Sequence, residues 1–207
     1  MTNLLHKPKV TPEELLRMPK DRRYELVDGE LLEKPMSAIS SAVGLQLANR
    51  LAAFVESNDL GIVFNADASY RCFPNNPDRV RRPDISFIRK ERITPELWQW
   101  GHIPLVPDLV VEVLSPHDLS KDTEERIDDY LEAGVPLIWV VQPATRRVYV
   151  YRPDRPGLIL GPHDELTGEP VLPGLRLTVR EIFSPLTRYG IKPETKVSEV
   201  SHGDATR

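Results

Sequence analysis

Between positions 37 and 56 apolar residues return at every fourth place. Val43, Leu47, Leu51 and Val55 line up, with Leu45, Ala48, Ala52 and Phe54 beside them. That is the stripe of an amphipathic helix, closed by Asn58 and Gly61. Upstream, Thr11-Pro12-Glu13-Glu14 combines a cap, a first-turn proline and a capping-box glutamate, predicting a short helix that ends near Met18. Tyr24-Glu25-Leu26-Val27 and Glu30-Leu31-Leu32-Glu33 flank Asp28-Gly29, so residues 23–34 read as a hairpin. Strands are expected at 61–64, 68–73 and 84–88, with a short helix opening at Thr94-Pro95.

The densest apolar run is Leu109-Val110-Val111 with Val113-Leu114, a central strand covered on both faces. A helix capped by Asp122, with Glu125 at the reciprocal position, follows; Ile127, Tyr130 and Leu131 form its inner stripe and Gly134 its stop. Residues 137–141 and 147–151 read as strands around a turn at 143–146. From 157 to 185 turns dominate, with a closing helix or strand at 179–183. The order predicts an α/β (α+β) fold, a central mixed sheet flanked by helices, with the strand–helix–strand unit at 109–141 as a right-handed crossover between parallel strands. Residues 1–10 are expected as a tail, 11–188 as one domain and 189–207 as a polar, disordered tail.

Composition refines this picture without redirecting it. The 207 residues suit one domain with a sizeable core. No stretch reads as a membrane span and the N-terminus has no signal-type apolar core, so the default expectation is a cytoplasmic protein with no membrane partner. One cysteine, Cys72, excludes an internal disulfide and a multi-cysteine metal site, and reads as a small hydrophobe. The net charge of −4 does not advertise a nucleic-acid binder. Arg79, Arg81, Arg82, Arg89, Lys90 and Arg92 nevertheless cluster around one acidic residue. They are either a solvated rim or a phosphate-binding patch.

Candidate chemistry begins at Glu112, a carboxylate inside the central strand, pointing with Val110 and Leu114 away from Val111 and Val113. A metal ion, an arginine partner or exposure at the sheet end must compensate it. Asp84, 28 residues earlier in Arg82-Pro83-Asp84, starts a strand that can return beside it. Two adjacent carboxylates without thiolates suit Mg²⁺ or Mn²⁺. The alternative is that Glu112 pairs with an arginine while Asp84 only ends a turn. His102, His117 and His163 are isolated, which favours surface or loop roles, with His117 near the expected mouth of the site. Trp98, Trp100 and Trp139 are candidates for base stacking, although Trp139 on its strand reads first as core.

Arg82-Pro83-Asp84, Glu112-Val113-Leu114-Ser115-Pro116, the run from Tyr130 through Ala133-Gly134-Val135, and Trp139-Val140-Val141 together resemble the Uma2 family of restriction-endonuclease-like proteins. Tyr24-Glu25-Leu26-Val27-Asp28-Gly29-Glu30 resembles that family's N-terminal signature, and the likeness runs over about residues 11–185. The resemblance implies the PD-(D/E)XK nuclease fold and Mg²⁺-dependent (or Mn²⁺-dependent) cleavage of nucleic-acid phosphodiesters, DNA being the expected substrate. A homodimer would suit an enzyme that cuts both strands.

By the same resemblance Asp84, Glu112 and the carbonyl of Val113 are the metal ligands, and Glu25 is a further acid near the site or a hairpin-surface charge. The lysine usual two residues after the acid is Leu114 here. The lysine that relatives carry on the next helix is Arg126, one turn before Tyr130, and the histidine near the start of the long helix is missing from Ser37-Ala38-Ile39-Ser40-Ser41. Arg126 keeps the charge but cannot give up a proton. Lys121, just before the expected helix, is the other candidate cation, or else a loop-surface lysine. These departures leave two alternatives to a nuclease: a non-cleaving nucleic-acid-binding module, or a partner-binding scaffold in which Glu112 is salt-bridged, with Arg126 as the suggested partner, and has no cavity beside it.

Overall fold

A computed structural model describes residues 9–19, 23–35, 37–116, 118 and 120–193. His117 and residues 194–207 of the expected tail lie outside the described residues.

The elements run α1 (Pro12–Arg17), β1 (Tyr24–Val27), β2 (Glu30–Glu33), α2 (Ala38–Ser57), β3 (Gly61–Asn65), β4 (Ile85–Arg89), two 3-10 turns, β5 (Leu109–Val113), α3 (Ser120–Glu132), β6 (Ile138–Gln142), β7 (Arg147–Arg152), β8 (Arg155–Leu160), β9 (Glu165–Thr167), β10 (Arg176–Thr178), α4 (Val179–Ile182) and α5 (Ser184–Arg188). The capping box at Thr11 forms as read. The hairpin turn carries positive φ at both central residues, 52° at Asp28 and 85° at Gly29, the twist that tight hairpins require.

Six strands pair in the order β3-β4-β5-β6-β7-β8; β5 and β6 are parallel and every other neighbour is antiparallel. This is the mixed sheet expected. Side chains alternate across it. Leu109, Val111 and Val113 of β5 and Trp139 and Val141 of β6 face the α2 side, where Val43, Leu47, Leu51 and Val55 complete the larger core. Val110, Ile138 and Val140 face α3 and pack on Ile127 and Tyr130. Trp139 is wholly buried, so it is a core residue and has no surface for stacking a base.

Three expectations are corrected. Residues 68–73 form no strand: Tyr70 makes only isolated bridges, to Arg81 and to Ile103, and its side chain fills a small core with Ile88, Leu97 and Ile103. Asp122 lies inside the first turn of α3 and is not its cap, since the helix already runs from Ser120. By length and mean hydropathy of 1.3, α2 is also apolar enough to cross a membrane, contrary to the reading that no stretch approaches this. Its stripe is instead covered by the sheet.

Candidate active site

The antiparallel register of β4 on β5 pairs Ile85 with Val111. Continued by one residue, it sets Asp84 opposite Glu112, and residues opposite each other in such a pair project to the same face. Asp84 escapes the strand proper, with its N–H donated to the Val111 carbonyl (3.0 Å). Its Oδ2 accepts from the Val113 N–H at 2.7 Å. Glu112 is buried, and its Oε1 accepts from the Tyr130 hydroxyl at 2.9 Å. The strand pairing and the α3 packing thus each hold one oxygen of one carboxylate.

The other two oxygens converge. Lys34 Nζ lies 3.0 Å from Asp84 Oδ1 and 2.6 Å from Glu112 Oε2. It also donates to the Arg82 carbonyl at 2.9 Å. Burial alone would lower the Lys34 pKa, but Asp84, Glu112 and Glu25 outweigh it and hold the ammonium well above its ordinary value. Burial raises the Glu112 carboxyl, with Lys34 opposing and Asp84 reinforcing the shift. Lys34 was missed in the sequence because nothing local marks it. A signal existed all the same: Glu25 pairs with Leu32 in the hairpin, and two residues on, Lys34 falls on the same face.

A second tier of charges lies behind the pair. Glu25 is fully buried, so it is no hairpin-surface charge. Its Oε2 accepts from Arg81 Nη1 at 2.9 Å and from Arg126 Nε at 3.1 Å, and its Oε1 from the Arg82 N–H at 2.9 Å. Arg81 also reaches Asp129 at 2.6 Å and Glu125 at 3.1 Å. Burial pushes the Glu25 carboxyl upward, yet Arg81, then Arg126 and Lys34, bring it below the ordinary range.

Arg126 is tied to Glu25 and, at 3.4 Å, to Asp118. It is committed to this network, and the partner expected for Glu112 in the scaffold alternative is Lys34 instead. Lys121 is exposed within the first turn of α3 and forms no ion pair among the described residues. Leu114 packs against the α3-side core.

The basic cluster is not a free phosphate patch. Arg79 pairs with Asp28 and Asp129, Arg89 and Arg92 with Asp108, and Lys90 with Asp59. Arg82 donates to the carbonyls of Tyr24 and Asp67. Neighbouring acids contributed by distant loops could not be foreseen from a local run. Cys72 is held as a thiol, its pKa pushed up to about 12 by burial. His102 bridges Ser69 (2.8 Å) and the Pro12 carbonyl (2.9 Å), a loop-fastening role. Trp98 is exposed and Trp100 half-buried.

Asp84 and Val113 form part of the wall of a cleft of about 220 Å³. Arg23 and Ser37, Ser40 and Ser41 at the start of α2 line it from the other side. Asp84 thus faces the cleft, whereas Glu112 lies buried behind it, salt-bridged to Lys34 much as the scaffold alternative expects of it, with Lys34 in place of Arg126.

A family model described as "Uma2: Putative restriction endonuclease" matches residues 12–180. The chain belongs to the Uma2 family. Its fold is also that of a solved structure described as "a putative nuclease belonging to DUF820" from Anabaena variabilis ATCC 29413, with a TM-score of 0.74 and 24% identity over 84% of this chain and 98% of that one. No curated protein matches the sequence. Uma2 membership places the chain among endonuclease-type hydrolases, with nucleic acid as the substrate class.

Tyr130→Phe should test the Uma2 site's buried scaffold. It deletes the hydroxyl that donates to Glu112 Oε1 at 2.9 Å. A hydrogen bond to a buried charge is worth about 2 kcal/mol, so urea unfolding should show a loss of about that size. A change within a few tenths would mean Glu112 is held by other means.

Proposed function

We propose that this Uma2 protein is a Mg²⁺- or Mn²⁺-dependent endonuclease that hydrolyses phosphodiester bonds of DNA. The observation that carries the reading is the convergence of Asp84 Oδ1 and Glu112 Oε2 on one cation position beside an open cleft. The donors fit the ion in type: hard oxygens only, as Mg²⁺ and Mn²⁺ prefer. Among the described residues no group of three or more acidic, histidine or cysteine side chains is placed to hold a metal ion. Mg²⁺ can be held by one or two carboxylates while it keeps several waters, so a two-carboxylate site fits its habits.

Asp84, Glu112 and the Val113 carbonyl would hold the ion. When bound, it would polarise the phosphate and lower the pKa of a water. Tyr130 and the Val113 N–H keep each carboxylate from rotating, so the ligand geometry is preorganised. Arg23, 3.9 Å from Asp67, and the N-terminal end of α2 line the cleft, and a helix N-terminus would favour an entering phosphate. Glu25, Arg81 and Arg126 neutralise one another behind the site and fix the hairpin that delivers Lys34.

One observation favours a second reading. Lys34 already neutralises the carboxylates, as it would in a non-cleaving module or a partner-binding scaffold that needs no metal. Incubating supercoiled DNA with the protein in Mg²⁺, Mn²⁺ or chelator separates the two. The hydrolase reading expects nicking with either ion and none with chelator. Absence of cleavage of DNA with both ions would favour the second reading.

A further inference from the structure

Lys34 Nζ donates to Glu112 Oε2 and to the Arg82 carbonyl and forms an ion pair with Asp84 Oδ1 at 3.0 Å. The two carboxylate oxygens are the same ones that a divalent ion would take. Mg²⁺ binds oxygen at about 2.0–2.1 Å, whereas Lys34 already stands 2.6 Å from Glu112 Oε2. Ammonium and metal cannot share that position.

The backbone of Lys34 does not have to move for the exchange. Its N–H is fastened to the Arg23 carbonyl at 2.9 Å, and Pro35 stiffens the exit towards the Ser37 cap of α2. Only the four-carbon stem turns. Pro35 and Arg23, next to Lys34 in chain and in hairpin, line the cleft on whose wall Asp84 stands. An ammonium released from the two oxygens stays tethered beside that cleft. Among the described residues considered as the site's cation, Arg126 is bound to Glu25 and Asp118 and Lys121 is exposed without an ion pair. Among the described lysines and arginines, Lys34 is the one paired with both Asp84 and Glu112.

We propose that Lys34 is the working lysine of the site, holding the acidic pair together as an internal counter-ion without metal and contacting the scissile phosphate once the pair binds metal. The proposal rests on the metal-dependent hydrolase reading. Water adds to phosphorus as the bond to the leaving sugar oxygen breaks. The proton lost by the water and the one gained by the leaving oxygen exchange with solvent. Lys34 keeps its three protons and acts through charge on the phosphoryl oxygens.

The test compares the wild type with Lys34→Met and Lys34→Arg, using Mn²⁺ calorimetry, thermal unfolding with and without Mn²⁺, and nicking of supercoiled DNA at saturating Mn²⁺. Lys34→Met should bind Mn²⁺ about tenfold more tightly or better. Its metal-free form should melt lower and regain the loss on adding Mn²⁺. Its kcat should fall at least ~100-fold, the scale of losing one transition-state charge contact, with KM little changed, and Lys34→Arg should recover part of it. Unchanged Mn²⁺ affinity, or undiminished turnover in Lys34→Met, overturns the proposal. Absence of nicking by the wild type would overturn the hydrolase reading together with Lys34's part in turnover; tighter Mn²⁺ binding by Lys34→Met would still support the shared position.

Discussion

Asp84→Asn should reduce metal-dependent DNA cleavage by at least ~1,000-fold while the protein stays folded. The expected size follows from what the carboxylate supplies. Among the described residues its Oδ1 is one of two side-chain oxygens paired with the Lys34 cation, and a metal's charge stabilisation of a phosphoryl transition state is worth several kcal/mol, about 1.4 kcal/mol for each factor of ten. The amide can still accept from the Val113 N–H through its oxygen, so the strand end keeps its hydrogen bond. Its NH₂ group would then face Lys34, where a donor repels both ammonium and metal. Circular dichroism should remain that of the wild type, and a quantitative nicking assay reads the activity. A loss smaller than tenfold would remove Asp84 from the metal's coordination.

The largest expected effect on stability lies behind the site. Arg81 is 1% exposed and joins Glu25, Glu125 and Asp129 at 2.9, 3.1 and 2.6 Å. Arg81→Met leaves two buried carboxylates with fewer partners, although Arg126 remains on Glu25 and Arg79 on Asp129. Removing one side of a buried ion pair costs about 3–5 kcal/mol, a large share of the ~5–15 kcal/mol that holds a domain together. Urea unfolding should show that loss.

Acid should expose it too. Because the Glu25 carboxyl is held below its ordinary range, its stabilising contribution is complete above the unfolded-state Glu pKa of about 4.3 and disappears as the pH falls through the lowered folded value. Without Arg81 that depression shrinks, so acid unfolding should begin at higher pH. Equal stability of Arg81→Met and wild type would mean that the network is dispensable, as some buried ion clusters are.

Much of the fold was legible because its signals are local. The four-residue spacing of Val43, Leu47, Leu51 and Val55 matches α2, all four being buried. Asp28-Gly29 turns the hairpin, and the apolar run around Glu112 is the central strand β5. Glu112's face followed from simple alternation, since Val110 does pack on the α3 side and Val111 on the α2 side. The segment around Tyr70 misled, because its apolar residues fill a small core with Ile88, Leu97 and Ile103 and pair with no strand of the main sheet.

The site divides along the same line. Placing Asp84 opposite Glu112 needed only two strands and their direction. Lys34 is 78 positions from Glu112, and its role depends on how the hairpin docks, which no periodicity records. Arg126 and the cluster from Arg79 to Arg92 were visible as charges, but the acids that claim them come from other elements, Glu25 from β1 and Asp129 from α3 among them. Formal charge along a sequence does not tell a free cation from a paired one.

The account stands on one position between two oxygens. A crystal grown with Mn²⁺, with data collected at the manganese absorption edge, examines that position directly. The predicted result is an anomalous peak in contact with Asp84 Oδ1 and Glu112 Oε2, with Lys34 Nζ moved off both. Peak-free density at full Mn²⁺ occupancy of the solvent, with Lys34 still bridging the two carboxylates, would contradict it.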